Sequence, residues 1–181
     1  LESLVMNYVH LESVLASKAV RLIFAAQGRP VVDFGMRRTH GMDAAHRGVR
    51  AYRFAGLAGT SNVLAGLDFN MPVYGTMAHS FVQACTGEME AFRTYARLYP
   101  GTTLLVDTYD TRSAVARIID WLQEEPEVRI GGIRLDSGDL ASDAAEYRRM
   151  LDEAGLGDVK IMASGGLDEY KIATLVSDNA P

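Results

Sequence analysis

The sequence predicts an α/β fold of parallel strands with helices on the outside. Three observations predict it. Short apolar runs rich in β-branched residues alternate with amphipathic segments of helical spacing. Gly and Pro punctuate the joins. Polar, reactive residues follow successive strands at the same end. Strands that return through a helical crossover run parallel, which is why the alternation fixes the class.

Residues 3–27 carry Leu4, Tyr8, Leu11, Leu15, Ala19 and Leu22 at helical spacing, and Gly28-Arg29-Pro30 stops this helical lead-in. Residues 31–34 read as a short strand, 43–56 as a helix, and 60–63 as a weak strand with another short helix behind it. Residues 73–76 form the next strand. A long helix is expected from His79 to about residue 99, with Phe81, Cys85, Met89, Phe92 and Ala96 on one face. Residues 103–107 read as a buried strand and 111–124 as its helix, with Val115, Ile118 and Leu122 inward and Pro126 beyond the end. The pattern repeats with a strand at 130–135 and a helix at 139–154, whose stripe is Leu140, Ala144, Tyr147 and Leu151. Gly155 and Gly157 give its stop signal. A strand at 159–163 and a helix at 168–177 complete the reading. No low-complexity stretch, linker or charge block interrupts it, so 1–181 is expected to form one unit.

Composition narrows the function classes. The chain has 181 residues, 48% hydrophobic and 23% charged, enough for one sizeable core. A net charge of -5 leaves no basic footprint for nucleic acid. The single cysteine, Cys85, forms no internal disulfide and points to a reducing, cytoplasmic setting. No stretch is long and apolar enough to span a membrane. The start at Leu1 and the stop at Asp178-Asn179-Ala180-Pro181 suggest a piece of a longer protein.

The polar residues cluster at strand ends. Asp33, Arg37 and Arg38 follow the first strand, His79 the third, and Asp107 to Asp110 the fourth. Arg134, Asp136, Ser137 and Asp139 end the fifth; Ser164, Gly165 and Gly166 follow the sixth. In a barrel or an open parallel sheet such ends share one rim, where active sites are built. Each cluster also has a purely structural reading: His79 as a satisfied turn residue, Arg134 and Asp136 as an ion pair, Asp107 to Asp110 as a helix cap, and the two glycines as a tight turn. His79 is the most informative position. A histidine at a helix start is kept neutral and sits beside unpaired N–H groups that favour an anion.

Taken together, Asp33-Phe34-Gly35-Met36-Arg37-Arg38, Gly59-Thr60-Ser61-Asn62-Val63, Gly75-Thr76-Met77-Ala78-His79-Ser80, Leu105-Val106-Asp107-Thr108-Tyr109-Asp110, Ile133-Arg134-Leu135-Asp136-Ser137-Gly138-Asp139 and Ala163-Ser164-Gly165-Gly166-Leu167-Asp168 strongly resemble the nicotinate phosphoribosyltransferase family. The resemblance implies an incomplete (β/α) barrel of the type II phosphoribosyltransferase class, with an N-terminal domain and further barrel parts outside this chain. It implies a reaction joining nicotinate to 5-phosphoribosyl-1-pyrophosphate, coupled to ATP hydrolysis through a phosphohistidine, as a step of NAD salvage. His79 matches the phosphorylated position; Asp136, the second catalytic candidate, matches with Arg134 the lining of the base and ribose site, and Asp136 or Asp107 would face the sugar cation. Arg37, Arg38, Thr76, Asp107, Arg134, Ser137 and Gly138 match the substrate-binding positions; Ser164, Gly165 and Gly166 match the start of a phosphate cradle. Mg²⁺ would accompany ATP and the pyrophosphate, with metal ligands unassigned. A homodimer of the full-length protein is implied, and the isolated chain is expected to be weakly active or inactive.

Two other readings stand beside this one. A related enzyme would use nicotinamide or quinolinate as the base. A phosphosugar-binding barrel lyase would share the glycine turn but would need a Schiff-base lysine or a metal set at strand ends; Lys160 begins a strand instead of ending one.

Overall fold

The computed structural model describes residues 1–181. The chain packs as two compact units, Leu1–Gly75 with Asp168–Val176, and Thr76–Leu167 with Ser177–Pro181. No linker composition marks the division, so the sequence reads as one unit.

The first unit opens with helix α1 (Glu2–Ala26), which ends where Gln27 turns left-handed. Strand β1 (Val32–Asp33) pairs in parallel with β2 (Gly59–Thr60), and Val73 bridges to Thr60. Between the strands lie a 3-10 turn at Met36–Arg38 and helix α2 (Met42–Ala55), closed by left-handed Gly56. Of the expected strand at 60–63 only Thr60 lies in β2, beside Asp33 of β1. Asn62 instead caps α3 (Val63–Asp68) by accepting from Ala65 N at 3.2 Å, which diverts the backbone into a helix. The expected strand at 73–76 reduces to the single bridge at Val73. Helix α8 (Glu169–Ser177) starts where Asp168 Oδ1 accepts from Tyr170 N (3.1 Å) and Lys171 N (2.8 Å). Glu169 pairs with Lys18 and Arg21 of α1.

In the second unit the long helix expected from residue 79 is two helices, α4 (His79–Ala84) and α5 (Glu88–Leu98). Cys85 is extended, and Glu90 reaches back to accept from Thr86 N at 3.1 Å. That contact gives α5 its own start. His79 therefore heads a helix of six residues, too short for the dipole-based anion seat expected of it.

Strands β3 (Thr103–Leu105), β4 (Gly132–Leu135) and β5 (Lys160–Ala163) form a parallel sheet in that order. Helices α6 (Thr111–Glu124) and α7 (Leu140–Glu153) connect them. No closed barrel forms; the strands make separate parallel sheets of two and three. Leu104, Leu105, Val106, Ile133 and Leu135 pack with Phe92, Ile118, Trp121 and Leu151 in one core. Gly131 and Gly132 have no room for a side chain: a Cβ would lie 2.3 Å from Gly101 O and 2.6 Å from Lys160 O respectively. No helix is long and apolar enough to cross a membrane.

Candidate functional site

The register of the three-stranded sheet decides which polar residues meet. Leu105 stands beside Arg134, and Leu135 beside Ala163. The next backbone bonds, Val106 N to Arg134 O (3.3 Å) and Ser164 N to Leu135 O (2.8 Å), carry the alignment past the strands. Asp107, Asp136 and Ser164 are thus brought together at one edge.

Arg134 is the hub. Along β4 its neighbours Ile133 and Leu135 enter the core, so alternation puts Arg134 on the opposite face. Its Nε donates to Ser164 Oγ (2.7 Å), Nη1 to Thr76 Oγ1 (2.8 Å) and Nη2 to Asp136 Oδ1 (2.6 Å). A planar guanidinium with three directed bonds is held in one orientation. Ser164 Oγ also donates to Asp136 Oδ1. Burial pushes the Asp136 carboxyl up, but the bonds from Ser164 and Arg134, with the charges of Arg134 and His79, outweigh it and hold the group below the ordinary aspartate range. Asp136 is therefore a carboxylate at neutral pH.

His79 completes the constellation. Its Nε2 lies 3.8 Å from Asp136 Oδ2, and its Nδ1 shares a 3.1 Å hydrogen bond with Thr108 Oγ1. The imidazole is 42% exposed, open enough to meet a ligand. Asp107 works from beneath: its Oδ2 accepts from Asp136 N and from Ser137 Oγ, both at 2.9 Å. Its Oδ1 is buried without a hydrogen-bond partner. A buried acceptor with nothing to accept is costly and marks a place suited to a donor or a cation.

The carboxylates of the loops divide by role. Asp110 caps α6, accepting from Ser113 N at 2.8 Å, and Asp139 caps α7, accepting from Ser142 N at 3.3 Å. Asp107 and Asp136, three residues earlier in each loop, do not cap and face the site. Asp33, at the end of β1, is spent on a turn: it accepts from Gly35 N (2.7 Å) and Thr60 Oγ1 (2.9 Å).

Gly165, at φ +99°, approaches Asp136 so closely that a Cβ would lie 2.1 Å from Asp136 O. Its absence of a side chain is required by this packing. Gly166 (φ +64°) and Gly138 (φ +82°) shape their turns. Arg37 and Arg38 are exposed on the 3-10 turn of the first unit. Of the residues singled out in the sequence, His79, Thr76, Asp107, Arg134, Asp136, Ser137, Ser164 and Gly165 gather within the second unit. Thr108 was not assigned a role; its position right after Asp107, at a strand end, was the available signal. No group of three or more His, Cys, Asp or Glu side chains is arranged to hold a metal by itself.

Comparison with known proteins gives a consistent result. The profile of the nicotinate phosphoribosyltransferase (NAPRTase) family matches residues 30–180. A nicotinate phosphoribosyltransferase of Mycobacterium tuberculosis is 54% identical over 99% of this chain and 39% of its own length. One of Bacillus subtilis is 44% identical over 99% of this chain and 37% of its own. The crystal structure of human nicotinic acid phosphoribosyltransferase superposes with a TM-score of 0.86 at 27% identity, over 99% of this chain and 48% of that one. The chain thus spans less than half the length of the relatives it matches.

Proposed function

Because this chain belongs to the nicotinate phosphoribosyltransferase family, we propose that the protein joins nicotinate to 5-phosphoribosyl-1-pyrophosphate, giving nicotinate mononucleotide and pyrophosphate. The step is coupled to ATP hydrolysis through phosphorylation of His79 and feeds NAD salvage. The observation that carries this reading is the convergence of His79, Asp136, Arg134, Ser164 and Thr76 on one sheet edge.

Displacing pyrophosphate from the ribose C1 builds positive charge on the sugar and negative charge on the leaving group. Ionised Asp136 stabilises the first, and Arg134, locked by its three acceptors, presents its charge to the second. Ser137 and Gly138 contribute contacts at the base and ribose. Ser164, Gly165 and Gly166 open the seat for the 5′-phosphate. Mg²⁺, when bound, neutralises the diphosphate. The residues fit such an ion through one carboxylate, the unpartnered Oδ1 of Asp107, since Mg²⁺ takes most of its oxygens from phosphates and water. The cytoplasm, which the lone Cys85 favours, and a homodimer of the full-length protein belong to the same proposal.

Replacing His79 with alanine in the full-length enzyme tests the coupling. ATP then no longer stimulates nicotinate mononucleotide formation; unchanged stimulation would refute the role of His79. Competition between nicotinate and nicotinamide checks the base. The 181-residue chain alone is expected to turn over weakly or not at all, and a robust product signal from it would overturn that.

A further inference from the structure

We propose that Thr108 is a positioning residue for His79, its hydroxyl donating to Nδ1 so that the neutral ring carries its proton on Nε2, toward Asp136. The proposal deepens the reading of His79 given above and rests on it for its consequence in catalysis.

A neutral imidazole has one N–H and one lone pair, and its surroundings choose which nitrogen has which. Asp136 Oδ2 lies 3.8 Å from Nε2, and the other oxygen of this carboxylate accepts from Arg134 Nη2 at 2.6 Å and from Ser164 Oγ. An ionised carboxylate only accepts; it attracts an N–H and repels a lone pair. The proton therefore sits on Nε2. Nδ1 is left with its lone pair, 3.1 Å from Thr108 Oγ1, and the hydroxyl is the partner with a proton to give.

Thr108 is well placed to hold that orientation. It follows Asp107 directly, and Asp107 is tied to the end of β4 through Asp136 N and Ser137 Oγ. Thr108 is thus tied, through Asp107, to the loop that carries the carboxylate facing the other ring nitrogen. Threonine is β-branched and stiff at χ1. A serine at this position would keep the donor but lose that stiffness. The hydroxyl fixes the ring from Nδ1 while Nε2 faces the Asp136 carboxylate at 3.8 Å.

The test is nuclear magnetic resonance of the 181-residue chain labelled with ¹⁵N at histidine, at about pH 9, where imidazoles are neutral. A His79→Gln variant identifies the His79 signals among the four histidines. In the unmodified chain the His79 proton is expected on Nε2. Thr108→Val should move the Nδ1 signal several parts per million toward that of a lone pair with no donor, and Thr108→Ser should restore most of it. A proton on Nδ1 in the unmodified chain would overturn the proposal, as would an Nδ1 signal unmoved by Thr108→Val. The first observation needs no variant, so a folding defect does not block it. Phosphate transfer from ATP to His79 is read separately in the full-length protein. Expected spectra without label would leave Thr108 in place and remove the catalytic reading; label with unresponsive spectra would remove Thr108 alone.

Discussion

In the second unit Phe92, Leu104, Leu105, Ile118, Trp121, Ile133, Leu135 and Leu151 are almost wholly buried around a three-stranded sheet. In the first, the buried cluster is Val49, Ala65 and Met71 beside two-residue strands. Its longest helix, α1, buries only Ala19 and Ala26 and exposes Leu4, Val5, Met6, Tyr8 and Val9 by half or more. Small residues let helices approach: Gly48 of α2 sits where a Cβ would come within 3.2 Å of Leu15 of α1. Ion pairs then join them, as Glu12 accepts from Arg47 (3.0 Å) and Arg50 (2.8 Å). The same alternation of strand and helix therefore rests on apolar volume in one unit and largely on surface pairing in the other. The polar network at His79 belongs to the apolar one. A site that must hold three bonds to one guanidinium needs a backbone that does not give way.

The largest expected effect breaks the stronger core. Phe92→Ala should cost about 3–5 kcal/mol in urea unfolding, because Phe92 is fully buried. Leu4→Ala in the first unit should change stability by no more than about 0.5 kcal/mol, since Leu4 is 59% exposed. Equal losses would erase the contrast.

Next comes the network. Arg134→Met strips the donor from Ser164, Thr76 and Asp136 and should cost on the order of 3 kcal/mol near neutral pH. The loss has a pH signature. The folded-state pKa of Asp136 is depressed, so its stabilisation is present above the ordinary aspartate value of about 3.9 and is lost as pH falls through the depressed one. Denaturation midpoints of Asp136→Asn should accordingly fall less steeply on the acid side than those of the unmodified chain. Parallel acid profiles would show that the carboxylate is not held ionised by its neighbours.

The smallest effect sharpens the description of the first unit. Glu12→Gln should cost about 0.5–1 kcal/mol at low salt and less as ionic strength rises. A loss as large as that at Phe92, insensitive to salt, would mean that α1 and α2 are joined by something other than charge.

Much of the scaffold was legible before the structure. Helix α6 falls on 111–124 as its apolar spacing predicts, and β5 and α8 lie within a residue of expectation. Apolar spacing predicts one helix from His79 through Thr86-Gly87 because Phe81, Cys85, Met89, Phe92 and Ala96 keep a helical period across the break between α4 and α5. Two short helices can present one apolar face, so periodicity does not register a local restart. The strand at 60–63 failed because Asn62 prefers to cap a helix. At the site, residue type and strand-end position were enough to single out His79, Arg134 and Asp136. They did not separate Asp107 and Asp136, which face the site, from Asp110 and Asp139, which cap helices. Both pairs are aspartates in loops after strands, and the difference lies in which amide each meets.

The sequence alone determined the alternation of parallel strands and helices, the family, and the residue types available for chemistry. These depend on local periods and on motifs along one dimension. Only the tertiary structure decided that the chain packs as two units, that Arg134 bonds Ser164, Thr76 and Asp136 at once, and that Thr108 stands against His79. Except for Arg134 with Asp136, two residues along, these bonds join groups tens of residues apart, and strand register together with side-chain direction sets such meetings.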